Sequence, residues 1–281
     1  MIDNKDEVRF IPELKNVFKE VYTVFPKTEM RSLLYPQRYR YVHSHDLIDR
    51  LKEIQRRYPI DLVHIESNEL LYLTRYIKFI PVIYTEHDAS ILSFRKSLYQ
   101  KKDGSLISNY FDYLKKVRYH CSVYNSLDRV ITLSKEDSRK LQSFFPRMRF
   151  SYVPTGVEVR HFSFKEKVDK SCEMIFIGHY PHYPNEHTIV YFTEKILPLI
   201  RKINPEAKIL IVGSCPTEQV RQLAWRPGVE LIGDVADVRP YLERASVFVN
   251  PVKIGAGIKG KVLEAMAMGR PIVATTLGAY G

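Results

Sequence analysis

The sequence predicts an α/β protein made of two doubly wound, Rossmann-like units, and three observations carry that expectation. Short runs that are nearly all apolar recur along the second half: "EMIFIG" (173–178), "AKILIVG" (207–213), "VELIG" (229–233), "SVFVN" (246–250) and "PIVAT" (271–275). Segments with helical periodicity separate them, the longest being "NEHTIVYFTEKILPLIRKI" (185–203). The first half repeats the same alternation more loosely. Strands without a polar face are those covered by helices on both sides, which is the signature of a parallel sheet. Right-handed crossovers then make each unit doubly wound.

Taken in order, the first half offers strands at "DLVHIE" (61–66), "IPVIYTEHD" (80–88) and "DRVITLS" (128–134). Helical stretches are expected near 45–57, 67–77 and 90–126. Ser44 or Asp46 is a suitable N-cap for the first of these, and Asp88 for a helix starting near Ser90. "RFSYVPTGVEVRHF" (149–162) leaves a strand, turns at Thr155-Gly156 and runs into the polar segment "KEKVDKS" (165–171). The domain boundary is expected there, giving domains at 1–165 and 166–281.

In the second half, the helix 185–203 sets Ile189, Phe192, Ile196 and Ile200 on one side, and Asn185 is suited to capping it. Shorter helices are expected at 217–224, 237–245 and 259–268. The Met/Ala run 265–268 reads as core packing. Both ends are expected to be cut. The first domain opens without a leading strand and glycine-rich turn, and the second stops after a strand with no closing helix.

The chain has 281 residues, 45% of them hydrophobic, enough for a well-buried core in one or two domains. Its 43 basic against 32 acidic residues give a formal net charge of +11, spread along the chain. That balance favours anionic partners, whether phosphates, nucleic acid or the anionic face of a membrane, without choosing among them. Cys121, Cys172 and Cys215 lie far apart with no C-x-x-C spacing, which argues against a disulfide framework and for a reducing cytoplasm. No apolar run approaches the roughly 20 residues of a spanning helix, so any membrane attachment is expected to be peripheral.

The chemistry concentrates in "PVKIGAGIKGKVLEAMAMGRPIVAT" (251–275). A helix N-terminus exposes unpaired N–H groups and carries about half a positive charge. Gly255, Gly257 and Gly260 let a phosphate approach the backbone, and Lys253, Lys259 and Lys261 supply countercharge. Glu264, within the helix, is suited to accepting hydrogen bonds from a ribose diol. A solvated, lysine-rich surface loop is the competing reading. The placement between two expected parallel strands favours a nucleotide-diphosphate site.

With these residues in view, 172–281 is similar to the carboxyl-terminal domain of family-four retaining glycosyltransferases of the GT-B fold, above all in "KVLEAMAMGRPIVAT". Weaker likeness extends to "RRYPIDLVHIE", "YTEHDAS", "VITLSKEDSRKL" and "VPTGVEVRHF". The resemblance implies two Rossmann-like domains with parallel sheets facing across a cleft, the acceptor mainly on the first and the sugar nucleotide on the second. It implies a retaining hexosyltransferase acting in glycan, polysaccharide or glycolipid synthesis, with no cofactor or metal. The partners it implies are a nucleotide sugar of unknown base and a saccharide or lipid-linked acceptor.

Carried over by position, Glu264 would hold the ribose hydroxyls. Lys261 and the backbone of Gly257, Ile258 and Lys259 would face the diphosphate and donor sugar. Gly178 would admit the donor, Asp234 and Val235 would lie near the base, and His87 would line the cleft near the transferred sugar. The chain departs from the family twice. Ala256 stands eight positions before Glu264, where the first of a glutamate pair is usual, and His179 follows Gly178 where a basic residue is common.

Other constellations yield less. "HSHD" (43–46) reads as a helix cap before a metal site, and "GHYPHYPNEH" (178–187) as lining on the donor side before zinc. The Tyr- and Lys-rich stretch 95–126 lacks a compact nucleic-acid motif, so nucleic acid is not an expected partner and a solvated, acceptor-facing or membrane-facing surface is preferred. Two alternatives stay open: a nucleotide-sugar epimerase of the same fold, and an inactive truncated fragment that binds nucleotide weakly or not at all.

Overall fold

The computed structural model describes residues 11–24, 44–87, 89, 106–164 and 172–280. The chain forms two compact units and passes between them more than once: His87 and Leu133–Asp137 group with the second unit, to which everything described from Tyr152 onward belongs. The segment 165–171, Asp88 and the start of the expected helix 90–126 lie outside the described residues.

The first unit holds helices α1 (Ile11–Lys15), α2 (His45–Arg57), α3 (Leu106–Tyr124) and most of α4 (Lys135–Phe144), with strands β1 (Val63–Ile65), β2 (Val82–Glu86), β3 (Arg129–Thr132) and most of β4 (Phe150–Tyr152). The sheet order is β1-β2-β3-β4, with β1/β2 and β2/β3 parallel. Ser44 caps α2 as expected, its hydroxyl accepting from the Leu47 N–H at 3.3 Å. Asp46 in the first turn and Arg56 and Arg57 in the last match the helix dipole. The segment expected as a helix over 67–77 is a 3-10 helix, Asn68–Tyr76. Four consecutive residues, Leu71 to Thr74, are buried there, and the Thr74 hydroxyl donates to the Leu71 carbonyl three residues back. Burial on every side suits a three-residue turn better than an amphipathic α-helix. Leu71, Tyr84, Tyr124 and Val130 anchor the core of this unit.

The second unit alternates β5 (Glu173–Ile177), α5 (Tyr183–Tyr191), α6 (Leu197–Ile203), β6 (Lys208–Val212), α7 (Glu218–Arg221), β7 (Val229–Gly233), α8 (Arg239–Arg244), β8 (Val247–Asn250), α9 (Gly260–Ala267) and β9 (Ile272–Ala274). All pairings are parallel, in the order β7-β6-β5-β8-β9. Period-two alternation splits β5 between two cores. Ile175 and Ile177 pack with Leu242, Val262 and Ala265, while Phe176 packs with Ile189, Phe192 and Leu197 on the other face. Helices after β5 and after β8 therefore cover opposite faces, and the winding reverses between these two neighbouring strands. Ligand crevices form beyond the carboxyl ends of strands at such a reversal.

Two local expectations shift. The helix 185–203 is interrupted by a π segment, Phe192–Ile196, just before Pro198. Proline has no N–H to give the Glu194 carbonyl and its ring crowds that turn, so the helix slips there. The slip brings Leu197 fully inside in place of Ile196, which is only partly buried. In the Met/Ala run, Ala265 and Met268 are core, but Met266 faces solvent at 58% exposure.

Candidate functional site

The strands of the second unit end in glycines that let three turns close on one another. The Gly178 N–H donates to the Val212 carbonyl at 3.1 Å, and the Gly213 N–H donates to the Gly233 carbonyl at 2.8 Å. Gly213 has φ 128°, and a Cβ there would stand 1.9 Å from the Gly178 carbonyl oxygen. Only glycine fits that conformation and that approach. Beyond the strands, the Tyr180 N–H donates to the Ser214 carbonyl at 3.0 Å, and His179 Nδ1 lies 2.7 Å from the Ser214 hydroxyl. The buried Tyr180 hydroxyl donates to the Val212 carbonyl at 2.8 Å.

The loop after β8 curls over the neighbouring strand end. Gly257, with φ 68°, is buried in it. Lys259 Nζ donates to the Ala256 and Gly257 carbonyls at 2.8 and 2.6 Å, so this lysine braces its own loop. Helix α9 starts at Gly260 with no side chain capping its N-terminus. Its first N–H groups are therefore not taken up by a cap.

Between these loops lies a pocket of about 530 Å³, within the range of small-molecule sites. Gly178, Asp234, Val235, Ile258, Lys259, Lys261 and Glu264, all named from the sequence, line it. Gly257 is buried, its carbonyl accepts from Lys259 Nζ, and it is not a lining residue. His87 stands exposed after β2 and does not line this pocket. Lys253, expected as countercharge, sits 3.5 Å over the Tyr191 ring and is likewise not a lining residue. Asn185, expected as a cap, is the third residue of α5, whose N-cap is His182.

Sequence reasoning missed Gly213, Ser214, Val238 and Val252 in the lining. The signal for the first pair was present, because "AKILIVG" ends in glycine just as "EMIFIG" does.

Lys261 and Glu264 are three residues apart on α9 and so share a face. The Lys261 ammonium points back to β5, donating to the Ile177 carbonyl at 2.8 Å and the Asn185 Oδ1 at 3.1 Å, 4.0 Å from the centre of the Phe176 ring. Burial, then the Lys259 cation, lowers its pKa to about 7. Burial also lowers the pKa of His182, with Lys261, His179 and Lys259 adding to the effect. Half-burial raises the pKa of Glu264, and the nearby His161 opposes that shift. No hydrogen bond ties the Glu264 carboxylate to a described residue. Asp234 Oδ2 accepts from the Cys215 N–H at 3.1 Å, which fixes the turn after β7. The pocket thus joins a partly desolvated cation, an uncapped helix N-terminus and an open carboxylate acceptor one turn further along. Among the described residues no group of three or more His, Cys, Asp or Glu can hold a metal ion.

Comparison with known proteins identifies the family and the fold. The model of Glycosyltransferase Family 4 matches residues 10–161, and that of Glycosyl transferases group 1 matches residues 171–281. The chain is 26% identical over 180 residues to an uncharacterized 44.6 kDa protein in the cps region of Klebsiella pneumoniae, covering 61% of this chain and 44% of the relative. It is 29% identical over 136 residues to a phosphatidyl-myo-inositol mannosyltransferase of Mycobacterium tuberculosis, covering 46% and 35% respectively. The chain therefore spans less than half the length of these curated relatives. The Anabaena protein Alr3699/HepE, solved with UDP and glucose, shares the fold with a TM-score of 0.57 at 16% identity, over 84% of this chain and 63% of its own.

Proposed function

Because the chain belongs to glycosyltransferase family 4, we propose that it moves a hexose from a nucleotide-diphosphate sugar to an acceptor hydroxyl with retention of configuration. The observation that carries this reading is the placement of Lys261 and Glu264 on one face of α9, in one pocket at the reversal between β5 and β8. In this reading the pyrophosphate sits on the N–H groups that open α9 and beside the Lys261 ammonium. The ribose diol donates to Glu264, one turn on, and the base lies near Asp234 and Val235. Gly178, with Gly257, Ile258 and Lys259, leaves room for the phosphates and the sugar. His87 enters through the family motif as the group facing the transferred sugar.

Fixed positive charge in a partly desolvated pocket stabilises a departing nucleoside diphosphate without a metal. The acceptor hydroxyl attacks from the face that the leaving group vacates, and its proton passes to the leaving phosphate. The acceptor proposed is a saccharide or lipid-linked glycan, for which the net charge of +11 provides attraction. Among the described residues no helix is long and apolar enough to cross a membrane. Peripheral contact at a membrane face belongs to the same proposal.

The test is a panel of nucleotide sugars scored by thermal stabilisation of the full chain. Binding at 100 times the dissociation constant adds about 2.7 kcal/mol. A hit followed by glycosylated product with retained anomeric configuration supports the reading. Failure of every nucleotide sugar to raise the melting temperature overturns it.

A further inference from the structure

Asn185 occupies a position that helix capping does not explain. It is the third residue of α5, and that helix takes its N-cap at His182. Its Nδ2 donates to the His179 carbonyl at 2.9 Å, and its Oδ1 accepts from Lys261 Nζ at 3.1 Å. Its Cβ and Cγ lie 3.1 Å from where a Cβ on Gly178 would stand, so glycine at 178 leaves the amide room that a side chain would crowd. One side chain therefore touches the end of β5, the turn beyond it and the first turn of α9.

We infer that Asn185 is a positioning residue, whose amide sets the Lys261 ammonium at the mouth of the pocket without neutralising it. An ammonium has three N–H donors. Two are held, by the Ile177 carbonyl and by Asn185, and the third remains for a ligand. Both acceptors are uncharged, so neither cancels the charge of the protonated ammonium toward an anion. A carboxylate at 185 would orient the lysine equally well but cancel that charge. An apolar residue would leave it with one acceptor over the Phe176 ring. The other charged or titratable groups of the pocket are Lys259 on the β8 loop, His179 and His182 beyond β5, Asp234 after β7, and Glu264 one turn on along α9. None of them accepts a hydrogen bond from its ammonium. The inference rests on the nucleotide-sugar reading only for the identity of the anion.

The experiment compares the full chain with its Asn185→Ala and Asn185→Asp variants. The Lys261 titration is followed by NMR of side-chain-labelled lysine, with the signal assigned through Lys261→Arg. Removing a neutral acceptor moves the midpoint down, and adding a carboxylate moves it up, each by about one pH unit. Opposite shifts support the inference, and a midpoint shared by all three proteins overturns it. Asn185→Asp is nearly isosteric, so it decides the question if the alanine variant fails to fold. The second arm measures dissociation constants for uridine, guanosine and adenosine diphosphates. Asn185→Asp is expected to weaken the bound nucleotide about tenfold, and unchanged affinity counts against the inference. If none of the three binds even the unsubstituted chain, the nucleotide-sugar reading falls while the titration still decides the role of Asn185.

Discussion

The Lys261 ammonium donates a 2.8 Å hydrogen bond to the carbonyl oxygen of Ile177, the last residue of β5. A residue at the start of α9 thereby closes onto the end of a strand 84 positions earlier in the chain. The pocket and the sheet are joined at that point, and the bond fixes where the ammonium stands.

Lys261→Ala removes the one lysine, among the described residues, whose ammonium is tied to a strand end at the pocket. Loss of a single preorganised donor of this kind costs about 10²–10³ in kcat, about 2.7–4 kcal/mol. Steady-state kinetics with the identified donor should show that loss. Normal turnover in the variant refutes the assignment of Lys261 to the diphosphate.

The pH dependence has a definite sign. Burial and Lys259 lower the Lys261 pKa to about 7. An anionic donor needs the protonated form, so kcat/KM should fall as pH rises through about 7, with Lys261→Arg remaining flat over the same range. Stability moves the other way. Between about 7 and the ordinary lysine value near 10.4, the unfolded chain binds the proton and the folded chain does not. The strain of the buried cation is therefore relieved as pH rises through that window. Denaturant midpoints at pH 6 and pH 9, compared with those of Lys261→Met, measure this contribution.

Glu264→Gln separates binding from folding. The Glu264 pKa is raised mainly by burial, so its charged form is disfavoured in the folded state. The sign is opposite to that of a paired carboxylate: this group favours folding at low pH, and that contribution is lost as pH rises through its folded pKa. At pH 7 the neutral amide should leave the melting temperature equal or higher. Donor affinity should drop by about 1.5–3 kcal/mol, the scale of a hydrogen bond to a charged group. Calorimetric titration of the donor beside a thermal melt reads both effects, and a lower melting temperature with intact affinity contradicts the assignment.

Gly213→Ala tests the strand-end closure. The added Cβ would meet the Gly178 carbonyl oxygen at 1.9 Å, at a backbone φ of 128°. Both the clash and the conformation oppose it, so unfolding free energy should fall by about 1–3 kcal/mol or more. Urea denaturation checks the size of the loss. Gly156→Ala is the control, because no atom lies within 4 Å of its would-be Cβ and its φ is not in the left-handed range.

Much of this protein was legible from one sequence. The apolar runs ending in glycine marked β5 and β6, and "VELIG" matched β7 residue for residue. Ser44 was readable as a cap because capping depends on residues four apart or fewer. Most of the pocket was also readable, because its donors come from strand ends and from one loop-helix segment, features that leave glycine, lysine and glutamate at fixed offsets. Local pattern failed where a distant group decided the outcome. Lys253, Lys259 and Lys261 look equivalent in sequence, yet one sits on Tyr191, one braces its own loop, and one reaches the end of β5. Asn185 reads as a cap until Lys261 arrives from α9 to claim its amide oxygen. Periodicity placed Ile196 inward, whereas Pro198 and the π slip put Leu197 there.

By itself the sequence determined where most strands and helices lie, and which glycines, lysines and acid gather around the start of α9, because hydrogen-bonding period, burial pattern and glycine geometry act over a few neighbouring residues. The tertiary structure alone decided which cation serves the pocket and what holds it. Hydrogen bonds across 76 and 84 positions form only once β5, α5 and α9 are packed against one another.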